Sequence, residues 1–224
     1  MIAWEEIDRA GVPGGEGQVT LRKRGDEFSI RTTTTELMNS RLHGSEDALA
    51  ELTCNRLSRK TGPRILIGGL GMGYTLAAAL QHLGEDSLIT VAELIPAVVK
   101  WNRQHLGHLA GKPLHDGRVS ILEKDVAEII SSQKNTWDAI LLDVDNGPDG
   151  LTRKANDRLY GMSGLKKAFQ ALRTGGILSI WSSGADEQFT RRLKQCQFQT
   201  EMITVRARKS GKGGRHTIWL ASKC

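Results

Sequence analysis

A short apolar segment that runs into a glycine-rich stretch constrains the fold more than any other feature of this sequence. Residues 65–67 are Ile-Leu-Ile, and an alanine-rich segment begins at Tyr74. The glycines between them are Gly68, Gly69, Gly71 and Gly73. Glycine lets a backbone turn tightly and lets a ligand approach where a Cβ would clash. A strand, a glycine turn and a helix in this order indicate a nucleotide-binding α/β fold; a tight turn without a ligand is the alternative.

Strand-like and helix-like segments alternate from residue 64 to the end. Predicted strands cover 64–67, 87–92, 119–122, 138–143, 177–181, 200–206 and 217–221. Predicted helices cover 74–83, 96–109, 126–131, 157–172 and 185–194. This alternation implies right-handed crossovers and a mostly parallel sheet. A polar loop too short for a crossover helix joins the last two strands, which predicts that they are antiparallel. We therefore predict a Rossmann-like class I methyltransferase fold with seven strands, the last one antiparallel.

The first sixty residues have a different pattern. Residues 19–23 and 28–32 predict two short strands joined at Gly25-Asp26, which is a β-hairpin. Residues 45–58 begin with Ser45, a capping residue type, and predict a helix. We expect residues 1–60 to form this hairpin and helix, and residues 61–224 to form the nucleotide-binding catalytic domain.

Composition narrows the class of protein. With 224 residues, 39% hydrophobic and 25% charged, the chain is not disordered as a whole. It has no run of about 18 apolar residues, its N-terminus is acidic, and its three cysteines are scattered. These features predict a cytoplasmic protein without a membrane span, a disulfide framework or a metal site. The net charge of +6 permits anionic partners without identifying one.

Two acidic residues extend the predicted nucleotide site. Glu93 ends the second strand twenty residues after Gly73, where a carboxylate accepts hydrogen bonds from a ribose diol. Asp125 follows the third strand, where an acid in S-adenosyl nucleotide folds reads the adenine amino group; a helix N-cap is its alternative. Tyr74 stands where a dinucleotide fingerprint needs its third glycine, which favours an S-adenosylmethionine-type nucleotide. The predicted donor-binding residues are Gly69, Gly71, Gly73, Glu93 and Asp125.

A second polar cluster follows the fourth strand. Asp143, Asp145 and Asn146 lie at the carboxyl end of that strand, where open α/β sheets place ligands. Attack on a carbon next to a sulfonium requires alignment and, for an ammonium acceptor, deprotonation. We predict that Asp143 orients or deprotonates the acceptor and that Asp145 assists. A polar loop held by local Asx turns is the alternative.

Taken together, these segments resemble the spermidine synthase family, and more closely its proteobacterial spermidine-synthase-like relatives. The resemblance rests on Asp26-Glu27-Phe28-Ser29, on Ile67-Gly68-Gly69, on Leu141-Leu142-Asp143 and on Tyr160. It implies a class I methyltransferase-like fold, a dimer or tetramer, and decarboxylated S-adenosylmethionine as donor. It also implies that Asp143 is the catalytic aspartate and that Tyr160, beyond a flexible lid, faces the substrate.

The sequence departs from the family where the amine ends of the substrates bind. The glycine loop of the family carries an aspartate for the propylamine of the donor, and here that position is Gly71. A second acidic position, which holds the acceptor amine, is Asn146. Losing the acid at Gly71 removes a repulsion against the carboxylate of S-adenosylmethionine. We therefore place methyl transfer slightly ahead of aminopropyl transfer.

A basic cluster lies between the last two strands. It comprises Arg206, Arg208, Lys209, Lys212, Arg215 and His216. The loop leaves a parallel strand at its carboxyl end, so Arg208 and Arg215 are candidates to bind an anionic acceptor. A solvated hairpin loop is the alternative. No aromatic residues interleave with these cations, so nucleic-acid binding has little support.

The sequence thus predicts a spermidine-synthase-like transferase that uses S-adenosylmethionine or its decarboxylated form, without a metal, to alkylate a small molecule. Aminopropyl transfer to a polyamine is the alternative. An RNA methyltransferase and a non-catalytic nucleotide-binding relative are further alternatives. By resemblance, we expect a homodimer.

Overall fold

A computed structural model of the chain describes residues 2–15, 17–144, 158–207 and 213–224. The predicted site residues Asp145, Asn146 and Arg208 lie outside the described residues. Two sheets, one of four strands and one of seven, form the framework.

The smaller sheet is antiparallel and comes first in the chain. Its strands are β1 (Glu5–Gly11), β2 (Gln18–Arg24), β3 (Glu27–Arg31) and β4 (Glu36–Asn39), in the order β1-β2-β3-β4. Strands β2 and β3 form the predicted hairpin, whereas β1 and β4 were not expected. The sheet buries apolar side chains such as Leu21 and Ile30 in the same hydrophobic core as Ile67 of the larger sheet. This shared core fixes the smaller sheet against the larger one.

The larger sheet confirms the predicted topology. Its strands are β5 (Arg64–Gly68), β6 (Leu88–Ala92), β7 (Val119–Leu122), β8 (Trp137–Leu142), β9 (Leu172–Ser182), β10 (Gln199–Arg206) and β11 (Arg215–Ser222). Their order is β10-β11-β9-β8-β5-β6-β7. The pairs among β5–β9 are parallel, and β11 is antiparallel to both of its neighbours. Every residue of the central strand β8 is buried, because helices cover both faces of the sheet.

Six α-helices have both ends within the described residues. They are α1 (Gly44–Asn55), α2 (Tyr74–His82), α3 (Pro96–Trp101), α4 (Val126–Ser132), α5 (Met162–Ala171) and α6 (Glu187–Gln195). One core joins α1, α2, α3 and the smaller sheet to one face of the larger sheet, and α4, α5 and α6 cover the other face. In the part of the chain that the structure describes, no helix is long and apolar enough to cross a membrane.

Two helix predictions are corrected. Helix α1 begins at Gly44 and His43 occupies the capping position, because the Ser45 hydroxyl donates to Glu46 instead of capping the backbone. The helix predicted over 96–109 ends at Trp101 and continues as a π-helical turn (Asn102–Leu106) and a 3₁₀ turn (Gly107–Ala110). The Asn102 side chain donates to the Val98 and Gly71 carbonyls, and this insertion accompanies the change in helix geometry.

Candidate active site

The glycine loop between β5 and α2 lies against the segment that follows β8. Gly69, Gly71 and Gly73 all have positive φ angles, of 89°, 52° and 85°. A Cβ at Gly69 would overlap the backbone carbonyl oxygen of Asp143. The loop therefore requires glycine for its conformation and for its close approach to Asp143.

Glu93 lies at the carboxyl end of β6 and is 7% exposed. Its carboxylate accepts hydrogen bonds from the Leu70 N–H at 2.9 Å and the Ile95 N–H at 2.8 Å. Burial raises the pKa of Glu93, and the backbone N–H groups oppose that rise. The side chain thus ties the glycine loop to β6. The backbone N–H groups of Gly71 and Leu94 also face this carboxylate and favour its ionised form. Ribose binding by Glu93 stays a prediction.

Asp125 caps helix α4, as its alternative interpretation anticipated. Its side chain accepts from the Ala127 N–H at 2.8 Å and forms an ion pair with Arg158 at 3.3 Å. Leu94 follows Glu93 in the chain and Leu122 ends β7, three residues before Asp125; the two leucines are 41% and 38% exposed. Exposed apolar side chains beside two acids suit the flat face of a nucleobase. Neither leucine was singled out from the sequence.

Asp143 follows β8 and faces a second carboxylate that the sequence analysis missed, Glu46 of α1. The Thr75 hydroxyl donates to Asp143 at 2.6 Å, and the Ser45 hydroxyl donates to Glu46 at 2.6 Å. Burial raises the pKa of Asp143 to about 6. Burial and the charge of Asp143 together raise the pKa of Glu46 to about 7. We call Glu46 and Asp143 the carboxylate pair; it holds a proton near neutral pH.

A histidine and a tyrosine lie beside the carboxylate pair. The His43 ring stacks on the Tyr74 ring with centroids 4.1 Å apart, and its Nδ1 lies 2.9 Å from the Asp47 carboxylate. The Tyr74 hydroxyl donates to the Ser40 carbonyl at 3.1 Å. Burial, with the charges of Asp47 and Glu46, raises the pKa of Tyr74 to about 12. Tyr74 therefore stays neutral near pH 7.

The carboxylate pair predicts a pH dependence of stability. Both pKa values are higher in the folded than in the unfolded chain, so the folded state binds more protons between about pH 4 and pH 7. The free energy of unfolding therefore falls as pH rises across that window. We expect Glu46→Gln to flatten this fall and to be more stable than wild type at pH 8 by about 2 kcal/mol. Urea unfolding at pH 5 and pH 8 measures it.

Glu51, exposed on the same helix, supplies the matched control. Glu51→Gln should keep the wild-type pH dependence. An equal slope in the Glu46→Gln variant and the wild type would show that the folded chain does not raise the pKa of Glu46.

Met38 of β4 covers the glycine loop at Gly71. Its sulfur accepts from the Met72 N–H at 3.2 Å. A Cβ at Gly71 would lie 2.8 Å from the methyl carbon and 2.9 Å from the sulfur of Met38. The Asn102 amide donates to the Gly71 carbonyl at 2.7 Å from the other side. Gly71 is therefore enclosed by a thioether where the family resemblance implies a carboxylate.

The remaining predicted site residues lie at the same edge of the larger sheet. Tyr160 is buried, with its hydroxyl 3.5 Å from the Val144 carbonyl. Arg215 is exposed at the start of β11, opposite Arg206 of β10. Contacts of Tyr160 and Arg215 with substrate stay predictions. Within the described ranges, no group of three His, Cys, Asp or Glu side chains could hold a metal ion.

Comparisons with known proteins place this geometry in context. No family model matches the chain. A polyamine aminopropyltransferase of Korarchaeum cryptofilum (strain OPF8) is 26% identical over 129 residues, which cover 57% of this chain and 38% of the relative. A polyamine aminopropyltransferase of Clostridium tetani (strain Massachusetts / E88) is 27% identical over 114 residues, 51% of this chain and 38% of the relative. The matched segments thus span about two-fifths of these relatives.

Solved structures share the whole fold. The spermidine synthase of Thermotoga maritima superposes with a TM-score of 0.76 at 18% identity, covering 98% of this chain and 73% of that one. The expected resemblance to the spermidine synthase family is confirmed. A spermidine synthase in complex with the transition-state analogue AdoDATO gives a TM-score of 0.78 at 17% identity, covering 98% of this chain and 74% of that one. Class I methyltransferase-like topology and the N-terminal sheet are common to this family and the chain.

Within this spermidine-synthase-like fold, the sequence analysis missed three residues that contact the predicted site. Thr75 bonds to Asp143, Glu46 forms the carboxylate pair, and Met38 covers Gly71. Glu46 had one available signal, an acid in the first turn of a helix that leads into the glycine-loop strand. Nothing in the sequence placed the N-terminus of that helix over the end of β8.

Proposed function

We propose that the protein transfers an aminopropyl group from decarboxylated S-adenosylmethionine to an amine. The carboxylate pair is the observation that carries this proposal. Two carboxylates in one buried site repel each other when both are ionised, and a cationic amine relieves that repulsion. A base with a pKa between about 6 and 7 is also well matched to removing an ammonium proton at neutral pH.

The proposed reaction needs one bond made and one broken. The lone pair of the neutral amine attacks the propyl carbon next to the sulfonium, and the carbon–sulfur bond breaks toward sulfur. The sulfonium becomes the neutral thioether of methylthioadenosine. Asp143, with Glu46, takes the proton that the acceptor nitrogen loses, and Thr75 orients the Asp143 carboxylate.

The donor would lie along the carboxyl ends of β5, β6 and β7. Glu93 would accept from the ribose hydroxyls, Asp125 from the adenine amino group, and Leu94 would contact the base. The names of the curated relatives support aminopropyl transfer, which was the alternative in the sequence analysis. These names do not support the expectation that methyl transfer is the favoured reaction.

Methyl transfer remains the second candidate because one observation favours it. Met38 fills the space beside Gly71, so the described residues present no carboxylate there to the amine end of a decarboxylated donor. A thioether imposes no repulsion on the carboxylate of S-adenosylmethionine.

Product analysis distinguishes the two reactions. The protein is incubated with either donor and a series of diamines and triamines, and the nucleoside product is identified by mass spectrometry. Aminopropyl transfer yields methylthioadenosine and a lengthened amine, whereas methyl transfer yields S-adenosylhomocysteine and a methylated acceptor. We expect methylthioadenosine, in an amount that matches the lengthened amine. S-Adenosylhomocysteine as the only enzymatic product would overturn the proposal in favour of the second candidate.

We predict that the side chains at positions 71 and 38 determine which of the two donors binds more tightly. Gly71→Asp alone should weaken donor binding, because its Cβ displaces the end of the Met38 side chain, whose sulfur accepts from the Met72 N–H of the glycine loop. In the double variant Gly71→Asp, Met38→Ala, the carboxylate has room, and aspartate tolerates a positive φ. We expect the ratio of Kd values to shift about tenfold toward the decarboxylated donor. Calorimetry with both donors measures it.

Met38→Ala alone is the control, and its donor ratio should stay near that of the wild type. An unchanged ratio in the double variant would mean that position 71 does not face the alkyl end of the donor.

Other expectations from the sequence stay proposals. Arg215 is an exposed cation at the sheet edge, and we propose that it pairs with an acidic group of the acceptor. A homodimer and a cytoplasmic location rest on the resemblance and on the composition alone.

A further inference from the structure

The peptide unit between Gly71 and Met72, in the glycine loop, is held at both ends by side chains. Its carbonyl, on Gly71, accepts from the Asn102 amide at 2.7 Å, and its N–H, on Met72, donates to the Met38 sulfur at 3.2 Å. Asn102 belongs to the π-helical turn and Met38 to β4, so the two side chains come from distant segments. Because Gly71 has no Cβ, the backbone itself restrains this peptide weakly. The two hydrogen bonds therefore determine its orientation.

The groups around the Asn102 amide fix the direction in which it points. Its nitrogen lies 2.9 Å from the Val98 carbonyl oxygen and 2.7 Å from that of Gly71. Carbonyl oxygens are acceptors, so the amide nitrogen, which is the donor, faces them and the amide oxygen faces away. That oxygen packs against Gly73, where a Cβ would lie 3.3 Å from it. Asn102 is only 3% exposed, so its side chain acts on the glycine loop and not on a ligand.

The buried amide carries a cost that an apolar side chain would not carry. The Asn102 oxygen is buried and has no hydrogen-bond partner among the described residues. A buried acceptor without a partner destabilises the folded chain, and a leucine of similar size would avoid that loss. Asparagine supplies two N–H groups in return, one for the Val98 carbonyl in the preceding turn and one for the Gly71 carbonyl. Only the second of these bonds reaches the glycine loop.

The segment that begins at Asn102 packs on the glycine loop at a second point. The Gly107 N–H donates to the Asn102 carbonyl, five residues earlier, and this bond closes the π-helical turn. Farther along, Pro113 lies beside Gly73, where a Cβ would lie 3.2 Å from the proline ring. π-Helical turns occur frequently at functional sites. Residues 102–113 therefore support the glycine loop on the side of the Gly71 carbonyl.

We propose that Asn102 is a positioning residue for donor binding. By holding the Gly71 carbonyl, it keeps the Gly71–Met72 peptide in the orientation in which the alkyl end of the donor fits beside the loop. Met38 holds the N–H end of the same peptide, and Asn102 itself touches neither substrate. This inference rests on the proposed function, because it takes the glycine loop as the donor site. It applies equally to S-adenosylmethionine and to its decarboxylated form.

Two substitutions separate the two hydrogen bonds of Asn102. Asn102→Ala removes both bonds. Asn102→Ser keeps a hydroxyl that bonds to the Val98 carbonyl, four residues earlier, as the Thr53 hydroxyl bonds to the Leu49 carbonyl in α1, but this shorter side chain does not reach Gly71. Calorimetry should show about tenfold weaker binding of both donors to each variant, with no change in their ratio. In steady-state kinetics the KM for the donor should rise, and the KM for the acceptor should stay within about twofold of wild type.

Leu106→Ala is the control for a loss of stability alone. Leu106 ends the same π-helical turn and is fully buried in the hydrophobic core. Its truncation should lower the melting temperature by about 5–15 °C and leave the donor Kd of the folded protein unchanged. Equal weakening of donor binding by Leu106→Ala would overturn the proposal, because the effect would then follow stability. Wild-type donor affinity in Asn102→Ala, or in Asn102→Ser, would overturn it as well.

A double-mutant cycle tests whether Asn102 and Met38 act on one peptide. The double variant Asn102→Ala, Met38→Ala should weaken donor binding by less than the product of the two single effects, because releasing either end already frees the peptide. Fully multiplicative effects would contradict the shared peptide and the proposal with it. Failure of the proposed function is recognised separately, since the wild type itself would then bind neither donor, before any substitution is made.

Discussion

Replacing Asp143 by asparagine is expected to lower kcat by at least about 100-fold while the protein stays folded. Asparagine preserves the size of the side chain and can still accept the Thr75 hydrogen bond. It cannot take a proton from the acceptor. The variant also removes the Asp143 charge from beside Glu46, so stability at neutral pH should rise and not fall. Steady-state turnover with the acceptor identified by product analysis measures the effect.

The pH profile gives this prediction a second readout. A base works when it is deprotonated, so wild-type kcat/KM should rise with pH through the range of about 6 to 7 in which the pair loses its proton. The residual activity of Asp143→Asn should lack that rise. Full activity in Asp143→Asn would remove Asp143 from the mechanism and with it the main support for an amine acceptor.

Asp138 provides a matched control on the same strand. Asp138 is buried near the start of β8, whereas Asp143 follows the other end of that strand. Lys60 and Arg173 form ion pairs with Asp138, and the Arg64 N–H donates to it. Asp138→Asn should cost about 2 kcal/mol of stability, because two cations lose their partner. It should leave kcat per folded molecule unchanged. Asp143→Asn should thus change kcat without a loss of stability, whereas Asp138→Asn should lose stability without a change in kcat.

The fold was predictable because its signals are local. The apolar run of β8, the glycines after β5 and the proline at the start of α3 each determine an element from neighbouring residues, and their order determines the topology. Strand β1 escaped prediction because its sequence, Glu-Glu-Ile-Asp-Arg-Ala-Gly, is mostly polar and exposed. Hydrogen bonding to β2 holds this segment in an extended strand, although its own residues do not alternate in polarity as a typical strand does.

The candidate site was predictable only in part, because its contacts join distant segments. Asp143 follows from its place at the end of a buried strand. Glu46 is nearly a hundred residues earlier in the chain, and only the packing of α1 against the larger sheet brings the two carboxylates together. The contact of Met38 with Gly71 likewise depends on how β4 crosses the glycine loop. Periodicity and motif spacing carry no information about such approaches.

Gly69→Ala should be the most destabilising single change in the site. Alanine at a positive φ costs about 1–2 kcal/mol wherever it occurs. At Gly69 the added methyl group also overlaps the Asp143 carbonyl. Neither segment can yield easily, because the Gly69 N–H donates to Ala92 and the Asp143 N–H donates to Gly68, both within 2.9 Å. We expect a loss of about 3–5 kcal/mol, measured by urea unfolding.

Gly175→Ala isolates the steric part of this effect. Gly175 also has a positive φ, of 74°, but a Cβ there would meet nothing within 4 Å. Both variants therefore carry the backbone penalty, and only Gly69→Ala carries the collision. The difference in their unfolding free energies, about 2 kcal/mol or more, reports how tightly the glycine loop is held against Asp143. Because relief of that collision must displace Asp143, Gly69→Ala should also lose turnover at temperatures where it is still folded, whereas Gly175→Ala should not. Equal stability and equal turnover in the two variants would mean that the loop and the catalytic strand move independently, and the donor and the proposed base would then lack a common rigid support.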